Sequence, residues 1–495
     1  MLVHRFWDPK LAQAGYLIGC SEAREALVID ATRDIDQYLA HAAALNLRIA
    51  HVTETHIHAD FVSGSRELAA TAGAKLYLSD EGGTDWRYDF AASDSAVGLL
   101  DGGGFTLGRV GVTVHHTPGH TPEHLTFLIT DGAAATEPIA AVTGDFVFVG
   151  DVGRPDLLER AARVEGTAES AARTLFRSVQ RFKSQPDYLQ IWPGHGAGSA
   201  CGKGLSAIPQ STVGYERRFN WAFAVTDEAE FVRLVLEGQP DPPRYFGTMK
   251  RINKEGPRAL GGPPRPVPLP AERVAEVLDR GELVVDMRSS AEFATGHLPG
   301  SINIPFNNWF TTWAGWVVPY DRDVYLFSAK PDGRQSELAL RDLAMIGLDR
   351  VAGSFGLDAL GAWTHAGRSL ASFGRISARE LAQRLDAGTA VVVDVRSRAE
   401  WEAGHIPGVV NIPAGEIEDR IGDLPQGRPL VVHCQGGTRS AIAASLLNAR
   451  GMADVLDMPG GFTEWEGTGL PVARDEGSLA DLVIGPLDRV ARRLG

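Results

Sequence analysis

Thr55-His56-Ile57-His58-Ala59-Asp60-Phe61 follows a mostly apolar run, residues 47–52, in which Leu47 and Ile49 alternate about Arg48. A short strand is therefore expected to end where the histidines begin. Two histidines two apart, with an aspartate two further on, place nitrogen donors and a hard oxygen within one turn of chain, a spacing suited to one or two transition ions. Three later stretches repeat the arrangement of an apolar strand closing on a candidate ligand. They are Val112-Thr113-Val114 before Thr117-Pro118-Gly119-His120, residues 139–142 before Thr143-Gly144-Asp145, and residues 188–191 before Trp192-Pro193-Gly194-His195. Four such ends in chain order predict one sheet edge where the ligands converge. Spacing alone leaves open which of His56 and His58 binds.

These motifs resemble those of the metallo-β-lactamase superfamily over roughly the first half of the chain. The resemblance implies an αββα sandwich with its metal at one edge. The zinc hydrolases of that superfamily usually place a second-site His directly after the first motif, where this sequence has Phe61, whose ring cannot ligate. One metal held by two His and one Asp keeps three positions open, the facial arrangement suited to non-haem iron(II) and O₂. The resemblance then points to the persulfide dioxygenases, and implies His56, His120 and Asp145 as ligands of one Fe(II) per chain, with His58 and Asp60 beside them. A single-zinc hydrolase using both His56 and His58 is the alternative.

A chain of 495 residues suggests about three domains at ~150 residues each. With 48 basic and 62 acidic residues the net charge is −14, and no Lys/Arg run stands out, which argues against nucleic acid and anionic membrane surfaces as partners. The start, Met1-Leu2-Val3-His4-Arg5-Phe6-Trp7-Asp8, lacks a basic segment followed by an apolar one, and no run of about 18 apolar residues occurs. A soluble, cytoplasmic protein is expected. Cys20, Cys201 and Cys434 are too few for a disulfide framework and fit a reducing compartment.

Residues 1–255 alternate strand-like and helical runs, such as the apolar-periodic Ala168–Phe182. Residues 256–270, Gly-Pro-Arg-Ala-Leu-Gly-Gly-Pro-Pro-Arg-Pro-Val-Pro-Leu-Pro, read as a stiff extended linker. An internal repeat follows: Val285-Asp286-Met287-Arg288 with Gly296-His297-Leu298-Pro299-Gly300 and Asn303-Ile304-Pro305 returns as Val393-Asp394-Val395-Arg396 with Gly404-His405-Ile406-Pro407-Gly408 and Asn411-Ile412-Pro413. The offset, 394 − 286 = 108, is too long for a solenoid and marks two copies of one domain, residues 271–370 and 371–474. β-branched runs alternating with helical segments predict parallel sheets with helices on both faces. The Asp-x-Arg, Gly-His-x-Pro-Gly and Asn-Ile-Pro pattern resembles rhodanese domains. Residues 475–495 are expected to form a docking helix.

The strand Leu430–His433 delivers Cys434-Gln435-Gly436-Gly437-Thr438-Arg439-Ser440 into a helix over 441–449. A thiol there meets the N–H groups of a Gly-rich loop, a helix N-terminus and Arg439, all of which favour a sulfur anion. Phosphatase loops place five residues between Cys and Arg; this one has four, Gln435 to Thr438, a smaller cradle that fits sulfur better than phosphate. By resemblance, Cys434 carries sulfur as a rhodanese cysteine does. In the first copy Ala329 stands five residues before Arg334, as Cys434 stands five before Arg439, so the nucleophile's position holds a residue that cannot carry sulfur. That copy is expected to be a silent spacer or dimerisation module, within a homo-oligomer.

Other residues keep two readings. Cys201, six beyond His195, either handles substrate sulfur or packs under its loop; His195 either orients substrate or metal-bound water or is structural; Arg154, near Asp151, either meets an anionic substrate group or forms an internal ion pair. His115, His116 and His124 are assigned to packing or surface, and Cys20 to the core. The fusion suggests a sulfide-clearing enzyme that oxidises a low-molecular-weight persulfide, such as glutathione persulfide, with O₂ to sulfite and thiol, and then moves sulfur onto sulfite to give thiosulfate. The rivals are a zinc thioester hydrolase of glyoxalase II type fused to a sulfurtransferase, and a non-catalytic sulfur relay or sensor.

Overall fold

Successive residues of a strand face opposite sides of its sheet, and the first 200 residues use this to bury two sheets against each other. The computed structural model describes residues 1–474 except 158, 160–165, 240, 331–332 and 425–427; the expected C-terminal helix, 475–495, lies outside the described residues. The first sheet has the spatial order β1 (Leu2–Asp8), β2 (Gln13–Cys20), β3 (Glu25–Ile29), β4 (Arg48–Thr53), β5 (Lys75–Ser79), β6 (Val97–Leu99). The second contains β7 (Gly104–Leu107), β8 (Val110–His116), β9 (Leu125–Asp131), β10 (Ala140–Gly144), β11 (Gln190–Pro193) and β12 (Ser211–Thr212), in the order β12-β11-β10-β9-β8-β7. Tyr16, Ile18 and Ile29 of one sheet share a core with Val112, Val114, Phe127 and Val142 of the other, and Cys20 lies in it. Leu17 and Val28, one residue out of phase, pack outward with Tyr38 and Ala42 of helix α1 (Asp36–Ala44) and Leu68 of α2 (Ser65–Ala72). Helix α3 (Ala168–Phe182) covers the second sheet through Ala172, Leu175, Val179 and Phe182, which recur at helical spacing; burying each of the larger three contributes about 1.5–3 kcal/mol. This is an αββα sandwich.

Strand direction explains why the ligands meet. β3 and β4 are parallel, and β8 and β10 both run antiparallel to β9 while β11 is parallel to β10. The C-terminal ends of β3, β4, β8, β10 and β11 therefore point the same way within their sheets, and each is followed by a polar or ionisable side chain.

By its internal contacts the chain divides into two compact units, Met1–Pro264 with Ala344–Gly347, and Arg265–Leu343 with the described residues from 348 onward. The Pro-rich stretch forms no helix or strand, yet it is pinned at both ends. The Leu260 and Gly261 amides donate to Glu67 in the first unit, and Val267 and Leu269 pair with Ser354 in the second.

The second unit contains two parallel sheets. One is formed by β13 (Leu283–Asp286), β14 (Ile302–Asn303), β15 (Val324–Phe327) and β16 (Val351–Phe355), ordered β14-β13-β15-β16. The other is formed by β17 (Gly374–Arg375), β18 (Val391–Asp394), β19 (Val410–Asn411), β20 (Leu430–His433) and β21 (Val455–Met458), ordered β17-β21-β20-β18-β19. The repeated motif is framework in both. Asp286 and Asp394 hold the guanidinium groups of Arg288 and Arg396, and the Asn303 and Asn411 amides donate to the backbone carbonyls of those residues. His297 and His405 stack on Phe293 and Trp401 at 3.8 and 3.7 Å, each donating from Nδ1 to the backbone carbonyl of the residue whose ring lies beneath it. Ala371 bridges His297 as Ala473 bridges His405, and the second sheet begins at Gly374.

Candidate functional site

At the shared strand edge of the first unit, donor atoms of His56, His120 and Asp145 lie within 4.8 Å of one another, all buried. The Nε2 atoms of His56 and His120 stand 4.0 and 3.5 Å from Asp145 Oδ2. Each ring is held from behind. His56 Nδ1–H donates to Thr55 Oγ1 (3.0 Å), and that hydroxyl donates to Asp30 Oδ2 (3.0 Å); His120 Nδ1–H donates to the Arg154 carbonyl (3.0 Å). With Nδ1 fixed as donor, Nε2 keeps its lone pair for the centre. Burial and the neighbouring imidazoles hold His56 well below the usual imidazole range, and burial lowers His120. Both rings are therefore neutral. Both carboxyl oxygens of Asp145 are buried without a hydrogen bond, so the aspartate's charge faces the two lone pairs and no donor. Such a convergence fits a cation.

The backbone makes the approach feasible. The β10–β11 register shifts between Val142 and Gly144, and Gly144 has φ of +49°, so Asp145 turns into the centre directly after the strand. A Cβ on Gly144 would lie 2.5 Å from Thr55 Oγ1 and 2.9 Å from His124 Nε2. Only glycine fits there.

His58 is placed differently from His56. Its Nε2 donates to Asp30 Oδ1 (3.1 Å), and although burial opposes it, Asp30 with Glu54 and Asp60 pushes its pKa up to about 9. A charged ring bonded to a carboxylate has no lone pair to give at that nitrogen. Phe61 is fully buried with its ring 4.4 Å from that of His58. Arg154, wholly buried, is engaged by both carboxyl oxygens of Asp156 (2.8 and 2.7 Å) and by the Ala200 carbonyl (3.1 Å), the internal ion pair among its two readings. Asp151 accepts from the Trp221 indole and the Gly204 amide. Asp60, His195 and Cys201 form a second buried group, again within 4.8 Å. Burial drives the Cys201 thiol well above its usual range, with Asp145 and Asp60 adding to the effect.

Three residues of this site carried no weight in the sequence. Asp30, just past β3, holds Thr55 and His58 and has the same strand-end signal as the motifs that were read. His124 was assigned to packing or surface; it is buried, and its Nε2 accepts from the Asp145 amide (3.2 Å), which fixes that ligand's backbone. Glu123 accepts from the Ile57 amide (2.7 Å) between the two motif histidines. His115 and His116 are half-buried at the end of β8.

In the second unit, β20 ends at His433 and helix α4 (Thr438–Ala449) begins at Thr438, so Arg439 and Ser440 lie in its first turn and the loop is only Cys434 to Gly437. Gly437 has φ of +93° and no space for a Cβ against the Pro459 carbonyl. Its amide donates to Cys434 Sγ (3.1 Å). The loop is anchored from outside: the Cys434 and Gln435 carbonyls accept from Phe462 and Thr463, and the Gln435 side chain joins Arg396 to Thr463. Arg439 is bidentate to Glu400 (2.5 and 2.7 Å); despite burial, that partner holds the Glu400 carboxyl down to about 2. Ser440 donates to Asp457 Oδ1 (2.7 Å), whose pKa burial pushes up to about 6. Gly436 has open space around it and Thr438 opens the helix. In the first copy, Ala329 follows β15 and Ser328 at the equivalent place.

A family model described as the metallo-beta-lactamase superfamily matches residues 11–195, and one described as a rhodanese-like domain matches 270–352 and 377–468. The mitochondrial persulfide dioxygenase ETHE1 of Bos taurus is 29% identical over 48% of this chain and 80% of its own length. A protein of Burkholderia pseudomallei (strain 1710b) named "Probable metallo-hydrolase" is 29% identical over 39% of this chain and 72% of its own. Among solved structures, a metallo-beta-lactamase from Staphylococcus aureus subsp. aureus COL is 42% identical, covers 72% of this chain and 99% of its own, and superposes with a TM-score of 0.66. Among the described residues no helix is long and apolar enough to cross a membrane.

Proposed function

The chain belongs to the metallo-β-lactamase superfamily, with two rhodanese-like domains behind that fold, and from this premise we propose that it oxidises low-molecular-weight persulfides with O₂ and transfers further sulfur onto the sulfite formed. The observation that carries the reading is the buried convergence of His56, His120 and Asp145, two neutral nitrogens and one carboxylate, with Phe61 packed on the neighbouring His58. Iron(II) held by those three residues would supply O₂ activation. The balance is R–S–SH + O₂ + H₂O → R–SH + SO₃²⁻ + 2 H⁺. The chain's own residues prepare that chemistry: Thr55 and the Arg154 carbonyl fix the ring orientations, and His124 fixes the Asp145 backbone. The likeness to a named persulfide dioxygenase supports the substrate class.

Cys434 then takes the outer sulfur of a second persulfide. The donor S–S bond breaks, a new S–S bond forms to Sγ, and the thiol leaves. Sulfite attacks that outer sulfur, giving thiosulfate and returning the cysteine. The Gly437 amide and the N-terminus of α4 stabilise the anionic sulfur at each stage. Arg439 is paired bidentately with the ionised Glu400, which offsets its charge at the loop. Ala329 leaves the first copy without sulfur chemistry.

The metallo-hydrolase relative favours a zinc hydrolase instead, in which His58 would be a third nitrogen ligand. The engagement of His58 Nε2 by Asp30 weighs against it. His120→Ala and Asp145→Ala should abolish persulfide-dependent O₂ uptake while Cys434 still accepts sulfur. Full O₂ uptake in both variants would remove the assignment.

A further inference from the structure

Among the described residues two guanidinium groups stand beside the Cys434 loop, and each is already engaged by a carboxylate. Arg396 is bonded to Asp394 (2.7 Å) and reaches the loop only through the Gln435 side chain, 3.1 Å from its Nη1. Arg439 lies in the first turn of α4, two residues past the glycine whose amide donates to Cys434 Sγ. Although burial opposes it, Glu400 above all, with Cys434 and Asp394, holds Arg439 in its charged form. The guanidinium is thus near enough to the cysteine for their charges to interact. Both of its terminal nitrogens nevertheless donate to Glu400, Nη1 to Oε2 (2.5 Å) and Nη2 to Oε1 (2.7 Å).

Glu400 is fixed independently of Arg439. It is the third residue of the helix Arg398–Ala403, and its carboxylate closes a capping box: Oε2 accepts from the Ser397 amide (3.0 Å) and hydroxyl (2.9 Å), while Ser397 Oγ accepts from the Glu400 amide (3.3 Å). The same box stands in the first copy at Ser289 and Glu292, where there is no cysteine, so the cap belongs to the repeat and not to the sulfur chemistry. A carboxylate anchored in this way holds the guanidinium in one place. Both partners are partly open to solvent, 23% for Arg439 and 36% for Glu400, so an incoming anion meets the pair and not a bare cation. The donor that touches the sulfur, the Gly437 amide, carries no formal charge.

We propose that Glu400 sets the charge selectivity of the Cys434 loop. By keeping Arg439 occupied it denies the loop a free guanidinium fork, the group best suited to phosphate and sulfate, and leaves the loop to small nucleophiles that need only reach the outer sulfur. The transfer step itself is unchanged: the acceptor's lone pair forms the bond to the outer sulfur, the bond to Sγ breaks, and its electron pair returns to Cys434. Sulfite meets the same screen, so the selectivity comes with some loss of affinity for it. The inference rests on Cys434 as the sulfur carrier only where it concerns transfer kinetics; alkylation of the cysteine tests it without any acceptor.

Glu400→Gln in the full chain removes the charge and keeps a residue that still closes a capping box. At Cys434, followed in its own peptide by mass spectrometry, the rate of alkylation by the iodoacetate anion relative to neutral iodoacetamide should rise about tenfold, the low end of what a hydrogen bond to a charged group contributes. Adding Arg439→Gln should return that ratio to the parent's, which a general loosening of the loop would not do. The KM for sulfite should fall by a similar factor with kcat within about twofold of the parent's, the mark of binding gained ahead of the chemical step. Inorganic phosphate, inert towards the parent, should become a competitive inhibitor of the variant. An unchanged alkylation ratio in folded Glu400→Gln overturns the proposal, and so does phosphate inhibition as strong in the parent as in the variant. A parent that moves no sulfur to sulfite, with the ratio still raised in the variant, removes the coupled reaction and upholds the role of Glu400.

Discussion

Asp30→Ala removes a side chain that touches no proposed ligand atom of the metal, yet it should loosen the metal. Asp30 is buried and accepts from the Thr55 amide (2.7 Å), the Thr55 hydroxyl (3.0 Å) and His58 Nε2 (3.1 Å). Raising His58 from 6.5 to about 9 corresponds to roughly 3 kcal/mol at ~1.4 kcal/mol per unit, of which Asp30 supplies the largest share beside Glu54 and Asp60. Stranding a buried amide adds about 1–3 kcal/mol, so a total loss on the order of 4 kcal/mol is expected, a large part of the ~5–15 kcal/mol typical of a domain but not all of it. The pH dependence has a definite sign. The folded-state pKa of His58 is raised, so its pairing contributes fully below pH 6.5 and is lost as pH rises through 9. The parent and Asp30→Ala should differ most near pH 6, and towards pH 10 the gap should narrow to the pH-independent cost of the stranded amide. The freed Thr55 hydroxyl no longer orients His56, so iron affinity, read by competition with a chromophoric chelator, should fall about 10–100-fold. An affinity within twofold of the parent, in folded protein, would refute the relay from Asp30 through Thr55 to His56.

Carefully iron-loaded, zinc-free protein should contain close to one iron per chain by elemental analysis, because Phe61 offers no ligand; two irons, both needed for turnover, would overturn the mononuclear reading. Cys434→Ser should stop sulfur transfer, since a hydroxyl is too weakly acidic to replace a thiolate, and should shift the product from thiosulfate to sulfite while O₂ uptake continues. Thiosulfate formation at the parent's rate, after subtraction of the uncatalysed reaction, would exclude that cysteine. Asp457 has a folded-state pKa raised from 3.8 to about 6, so its favourable protonated form is fully present below pH 3.8 and is lost as pH rises through 6. Asp457→Asn should therefore stabilise the chain at pH 8 by up to about 3 kcal/mol and have little effect near pH 4, measured by thermal unfolding across pH. A loss at pH 8 would show that the carboxylate's bond to Ser440 outweighs its burial.

The fold was legible where pattern and period agreed. Ala168–Phe182 is a helix over the span its apolar spacing marks, Leu430–His433 is a strand, and the Asp-x-Arg and Gly-His-x-Pro-Gly repeats build matching sheets. The strand-end rule led to His56, His120, Asp145 and His195, but it could not choose between His56 and His58. That choice depends on Asp30, which lies 26 residues before His56 in sequence and meets it only through a parallel β3–β4 pair. His124 was hidden for a similar reason: its role is to hold a backbone amide, and no motif records that. Arg439 was read as a charge near a site, whereas it is bidentate to Glu400, a carboxylate 39 residues earlier that only the folded chain brings near, and Arg154 takes the ion-pair reading of its two. Cys201 has no local signal beyond proximity to His195, and its partner Asp60 is 141 positions away.

The most direct test of the account is O₂ consumption by the iron-loaded chain across a panel of persulfides, run beside the same chain loaded with zinc. The account predicts uptake with iron alone, one sulfite formed for each O₂ consumed when Cys434 is replaced by Ser, and thiosulfate in its place with the parent. Absence of persulfide-dependent uptake with iron, together with thioester cleavage by the zinc-loaded chain, would contradict it.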